Sequence, residues 1–246
     1  LARKLNQLVV LLITLLVAPS LLASPSIDLE LNYAQSSRAM VFDGRSASLK
    51  VGGGGVNINL PVWQVGQITL GYGYGYSPNE SASFLSATAA GSAESNYTFI
   101  AYEKTFLIND RWSVTPFLSK KDYLLKGDLK GELRGESLLV KVSSDIGFRD
   151  VGLRFDYTLS TITSIYFSAT KLNWTLTSFA NGQLSSGVTA STQVDADKDT
   201  FRFALGYKDV FFGMPMYVEY SQATLKSDVS GDLSQLKLGI ELFRFQ

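Results

Sequence analysis

The chain of 246 residues contains no cysteine and no histidine. Without cysteine there is no disulfide staple and no thiolate-bound metal. Without histidine, the side chain that changes charge near neutral pH is missing, and with it the proton transfer that many hydrolases use. An excess of one charge is also missing: 22 basic residues face 22 acidic ones. Nothing in that balance points to nucleic acid or to an acidic partner. Beyond residue 24 no apolar run approaches the ~20 residues of a spanning helix. Any membrane crossing after that point has to be made by strands.

What is present begins with a leader. Arg3 and Lys4 precede residues 8–18, which are apolar except for Thr14. Pro19 and Ser20 end that run, and Ala23 offers a small residue for cleavage. This is the layout of a secretory signal peptide over residues 1–23, leaving a mature chain over 24–246. An N-terminal anchor is the rival reading of the same segment.

The mature chain alternates. In residues 68–77, Ile68, Leu70, Tyr72, Tyr74 and Tyr76 fall on one face, and Thr69, Gly71, Gly73 and Gly75 on the other. Side chains of a strand point alternately to its two faces. The same two-sided pattern recurs in residues 27–36, 46–63, 95–106, 111–125, 151–159, 164–177, 200–207, 214–226 and 233–245. The connections between these segments alternate short and long, as the periplasmic turns and external loops of an outer-membrane barrel do. The expected fold is all-β, an antiparallel up-and-down transmembrane β-barrel of about ten strands, with eight to twelve as the bounds. Long extracellular loops are expected near residues 78–94, 126–150 and 178–199. Within the second, residues 137–142 could rise as a hairpin above the membrane. Four consecutive glycines, Gly52 to Gly55, suggest a bulge or a bend. Pro116 removes one ladder donor from its strand.

On this pattern the face opposite the apolar residues carries charge: Asp28, Glu30, Lys50, Arg154, Asp156, Arg202, Glu219, Lys237 and Glu241. These are the expected lumen residues. If the turn over 208–213 is symmetric, Arg202 sits directly across from Glu219, Phe203 from Val218 and Leu205 from Met216. The phase of the segments over 95–106 and 164–177 stays open, because neither keeps all charge off the outer face. Trp63 and Trp112 flank short turns and, with Tyr72, Tyr74, Tyr76 and Tyr207, suit an aromatic girdle. Asp195, Asp197 and Asp199 open like a calcium loop. Thr200 stands where the turning glycine belongs and Gly206 where the closing glutamate belongs, so the motif fails. No metal, cofactor or catalytic residue is expected.

The leader, the tyrosine-rich alternating strands and the aromatic-ended last strand resemble bacterial outer-membrane β-barrel proteins. Asn-Tyr-Ala-Gln-Ser at residues 32–36 and Ile-Asn-Asp-Arg-Trp-Ser at residues 108–113 are similar to segments of the small OmpX/Ail-like barrels. The resemblance implies that Phe243 and Phe245 extend the girdle and form the terminal mark read by the barrel-assembly machinery. Gln246 follows them, out of step with that pattern. It also implies outer-membrane lipid and lipopolysaccharide as partners, and residence in the outer membrane of a Gram-negative cell. Outer-membrane proteases and acyl-transfer enzymes resemble one another in using histidine, which this chain lacks. The expectation is therefore a non-enzymatic surface barrel acting through its loops or as a structural element, with a narrow channel for small polar solutes as the alternative. A soluble secreted barrel with its apolar face inward is a third reading.

Overall fold

A computed structural model describes residues 26–36, 40–42, 45–48, 50–62, 65–84, 87–225 and 231–244. The leader, Trp63 and Phe245 lie outside these residues; Lys50 and Phe243 are described as strand positions only. The elements are β1 (Ser26–Ser36), β2 (Met40–Phe42), β3 (Arg45–Ser48), β4 (Lys50–Val62), β5 (Gly66–Phe84), β6 (Ala87–Glu103), β7 (Phe106–Leu107), β8 (Trp112–Leu133), β9 (Glu136–Thr158), β10 (Ser164–Leu184), β11 (Thr189–Phe211), β12 (Met214–Leu225) and β13 (Gly231–Arg244). No helix occurs among the described residues.

Ten of these strands form a closed ring. Its order runs β5, β4, β1, β13, β12, β11, β10, β9, β8, β6 and back to β5. The first and last wall strands, β1 and β13, pair antiparallel and shut the sheet on itself. Closure leaves no open edge, so each strand finds hydrogen-bond partners on both sides. The short β2 and β3 extend the wall beside the far end of β5. The short β7 continues β6 along the same register on β8, since Glu103 faces Phe117 and Phe106 faces Val114. The break between β6 and β7 lies opposite Pro116. Its carbonyl accepts from the Lys104 amide at 3.2 Å, but it has no N–H to return.

Gly52 to Gly55 form no bulge. They pair without interruption with β1 on one side and β5 on the other. Gly55 provides room: a Cβ there, or on Gly73 of β5, would overlap the ring of Tyr97, which lies across the inner wall.

The hairpins differ greatly in height. The turns at one end are short and locally specified. Asn109 accepts at 2.9 Å from both the Arg111 and Trp112 amides, and Ser160 Oγ accepts from Ile162 and Thr163. Such side-chain caps hold tight turns. At the other end, β8–β9 and β10–β11 rise as paired strand to their tips. Arg134 and Gly135 turn the first with φ of 53° and 83°. The segments 126–150 and 178–199, expected as loops, are therefore mostly wall, and residues 137–142 stand in β9.

On β8 to β11 the wall changes polarity at one rung. Ser119, Asp150, Leu172 and Thr200 are partners across β8, β9, β10 and β11. On the short-turn side of this rung, Leu118, Val151, Leu153, Phe155, Ile165, Phe167, Phe201, Phe203 and Leu205 are exposed on the outer surface. On the far side, the outer positions include Lys120, Asp122, Asp145, Arg149, Asp197 and Asp199, while Leu129, Val140 and Trp174 are buried inside. Lys171, on the rung of Val151 and Phe201, is a charge at the upper margin of the apolar side and reaches Asp199 at 2.7 Å. The alternation continues through the rung with its chemistry reversed.

Candidate functional site

The candidate site is the barrel interior. Below the rung it is filled by ionic and tyrosyl contacts. Arg154 on β9 is the hub, reaching Glu103 of β6 at 3.1 Å and Asp156 at 3.0 Å. Lys208 of β11 meets the other Asp156 oxygen at 2.9 Å. Glu219 of β12 accepts from the Tyr166 hydroxyl at 3.0 Å and pairs with Lys237 of β13 at 3.4 Å. Glu30 of β1 takes the Tyr217 hydroxyl at 3.0 Å and the Asn57 amide at 3.4 Å. Near the rung, Asp150 accepts from Arg202 at 2.6 Å and Ser119 at 3.0 Å. These contacts join strands from all round the ring. Charges taken out of water demand such pairing.

Glycines on the inner wall let the tyrosines lie flat. A Cβ on Gly206 would overlap the Tyr166 ring, and one on Gly239 would overlap Tyr217. Each absent side chain lets a hydroxyl from a neighbouring strand cross toward its carboxylate.

Above the ion pairs lies a cavity of about 250 Å³. Arg202, Asp150, Glu219 and Lys237 line its base; Tyr123, Leu125, Ile146, Phe148 and Leu172 line its upper wall. Lys121 of β8 projects between the two zones. Its amine sits 3.9 Å from the Tyr97 ring centre, 5.1 Å from Tyr123 and 5.8 Å from Phe99.

The expected lumen residues Glu30, Arg154, Asp156, Arg202, Glu219 and Lys237 lie in this interior. Asp28 faces in as well and accepts from Asn59 at 2.6 Å. It lines a lower recess with Glu241. Arg202 and Glu219 are not opposite one another. Phe211 pairs with Met214 across a two-residue turn, which places Ala223 across from Arg202 and Gly206 across from Glu219. Phe203 accordingly faces Gln222, and Leu205 faces Tyr220. The turn is tight because Phe212 and Gly213 both take positive φ, 52° and 78°. Arg202 pairs instead with Asp150 and Glu219 with Lys237.

Sequence reasoning missed Glu103, Lys121, Asp150 and Lys208 as interior groups. Glu103 stood in a strand of open phase, and Asp150 and Lys208 were assigned to connections. Lys121 was hidden by Lys120, its neighbour on the opposite face. Of the girdle residues, Tyr72, Tyr74, Tyr76, Trp112 and Tyr207 lie exposed on the outer surface. Trp112 packs on Tyr157 with ring centres 4.7 Å apart. Asp197 and Asp199 are outer-face residues on one straight strand, both accepting from Asn173. No metal-holding cluster of carboxylates occurs among the described residues.

The fold is a closed ten-stranded antiparallel β-barrel. The sequence matches no protein-family model and no curated protein. Among solved structures, the chain is similar to the outer-membrane protease OmpT of Escherichia coli, with TM-score 0.48, 10% identity, and coverage of 90% of this chain and 96% of that one. It is similar to the translocator domain of the autotransporter NalP of Neisseria meningitidis, with TM-score 0.43, 12% identity and coverage of 91% and 89%. It is also similar to Ail, the attachment invasion locus protein of Yersinia pestis, with TM-score 0.37, 10% identity and coverage of 90% and 98%.

Proposed function

We propose that this chain is an integral outer-membrane barrel, non-enzymatic, closed at membrane level by its own ion pairs and presenting a raised wall of strands outside the cell. The observation that carries this reading is the rung at which the outer wall of β8 to β11 turns from apolar to charged. A bilayer core selects apolar side chains outward and a closed ladder, because no lipid atom can satisfy a free N–H. On β11 the apolar positions begin at Phe201 and end at Phe211, ten residues on. At about 3.3 Å per residue and a tilt of roughly 40°, that spans roughly 25 Å, the height of an outer-membrane apolar band.

The outer leaflet fits the charges above the band. Lys120 and Arg149 are direct cross-strand partners on the outer face, and Lys171 stands two residues lower on β10, across from Val151. Among the described residues, Lys120 is paired with Asp122 and Lys171 with Asp199, each at 2.7 Å, which leaves Arg149 as the cation of the three that an external anion would answer. The phosphates of lipopolysaccharide are such anions, and Arg149 is their proposed contact. Delivery by the barrel-assembly machinery, after export led by residues 1–23, belongs to the same reading.

The ion pairs around Arg154 and Asp156 favour a closed bore over a channel. Planar-bilayer recording tests this. The wild-type chain is expected to give no steady conductance, and a variant carrying Glu103→Ala, Arg154→Ala and Asp156→Ala is expected to give one. Stable openings of the wild-type chain would overturn the closed reading and favour a narrow path for small polar solutes.

A further inference from the structure

We propose that the cavity above the ion pairs binds a small amphiphilic acid, its carboxylate on the Lys121 amine and its apolar body between Tyr123, Ile146, Phe148 and Leu172. The proposal rests on the membrane-barrel reading for its orientation, since the apolar end of the cavity then opens toward the outside of the cell.

Lys121 is the reason. Three other cations line the cavity, and each has a carboxylate: Arg154 with Glu103, Arg202 with Asp150, and Lys237 with Glu219. Among the described residues, no carboxylate lies within 4.0 Å of the Lys121 amine. The rings of Tyr97, Tyr123 and Phe99 surround it instead. Aromatic faces attract an ammonium but offer no lone pair to its three donors. Glu30, the remaining acidic group of the lining, is held by Tyr217 and Asn57. A polar loose end also lies at the base: Asp150 is buried, and its Oδ1 has no hydrogen-bond partner while Oδ2 takes Arg202 and Ser119. The interior therefore presents an amine with no carboxylate against it facing the cavity, beneath an apolar pocket walled by aromatic and aliphatic groups.

Size and polarity set the class. A space of 250 Å³ equals that of about eight liquid waters at roughly 30 Å³ each, which a molecule of roughly ten non-hydrogen atoms fills. Such pockets hold ligands through apolar walls and a few placed polar groups. A single carboxylate on a short aromatic or alkyl body meets both demands. A neutral molecule would leave the amine unanswered, and a dianion would meet Asp150 and Glu219.

The test uses the full barrel in lipid nanodiscs, with benzoate and its neutral counterpart benzyl alcohol as probes in titration calorimetry. Benzoate is expected to bind with benzyl alcohol at least tenfold weaker. Lys121→Met is expected to lower benzoate affinity at least tenfold and Lys121→Arg to retain it. Leu172→Trp, which fills the pocket without touching charge, is expected to abolish binding. Heat-dependent gel migration reports for each variant whether the barrel is formed. Failure of benzoate to bind a barrel that migrates normally overturns the site and leaves the membrane reading intact. Equal binding by wild type, Lys121→Met and Leu172→Trp overturns it as well. A wild-type chain that migrates identically with and without boiling removes the reading on which the site rests.

Discussion

Tyr166 and Gly206 show how single residues build this interior. The ring lies across the backbone of Gly206 and carries its hydroxyl to Glu219, one strand further on. A methyl group at position 206 meets the ring itself, and the ring is too stiff to yield cheaply. Gly206→Ala is expected to destabilise the barrel by about 1–3 kcal/mol, the usual cost of overpacking. In a Tyr166→Ala background the same change is expected to cost much less, because its obstacle is gone. Urea unfolding of the four proteins in lipid vesicles measures the coupling; strictly additive effects would contradict this packing. At this scale the sequence was partly legible. The alternating glycines and the charges opposite the apolar face were plain, but partners were not. Arg202 was matched to Glu219 because a six-residue turn was assumed, and a tight turn over Phe212 and Gly213 moved the strands by four residues relative to one another.

At the scale of the strand, β9 and β11 carry the argument. From Tyr157 back to Val151, β9 turns apolar residues outward; from Arg149 onward it turns them inward as Phe148, Ile146 and Val142. The lower halves were legible because a half-buried strand announces its faces by alternation. The upper halves were read as loops because their outward residues are polar and rich in Asp, Lys and Ser. The inner residues that betray them, such as Leu129, Val140 and Val142, are spaced by two but sit in the opposite phase from the strand below. The phases of β6 and β10 stayed open for the same reason. In the segment over 95–106 one phase exposes Glu103 and the other Lys104, and on β10 Lys171 stands on the outer face, so a rule of one apolar face per strand could not choose. A paired experiment separates the two zones. Leu205→Arg places a cation in the apolar band and is expected to cost about 2–4 kcal/mol in a bilayer. Asp197→Arg, four rungs beyond Phe201 on the same face, is expected to change stability by less than about 0.5 kcal/mol. Equal costs in vesicle unfolding would remove the distinction between the zones.

At the scale of the whole molecule, the ring, the ionic interior and the raised wall fit one another. Closure of β1 on β13 satisfies the ladder, the lower interior pairs its charges, and the upper interior collects apolar groups into clusters around Leu129 and Trp174. Class and strand number were legible, since ten alternating segments with unequal connectors permit few other closed sheets. The height of the wall was not, because it depends on pairing between segments distant in sequence. The central claim is that lipid ends and water begins, on the outer surface, at the rung of Asp150. The absence of cysteine allows single spin labels at Lys141, Asp145, Arg149, Val151, Leu153 and Phe155 through cysteine substitution, each collision-tested with oxygen and with a water-soluble nickel chelate. Labels at 151, 153 and 155 are predicted to favour oxygen and those at 141, 145 and 149 the chelate, with the changeover between 149 and 151. Chelate access as high at 153 and 155 as at 141 and 145 would contradict the account.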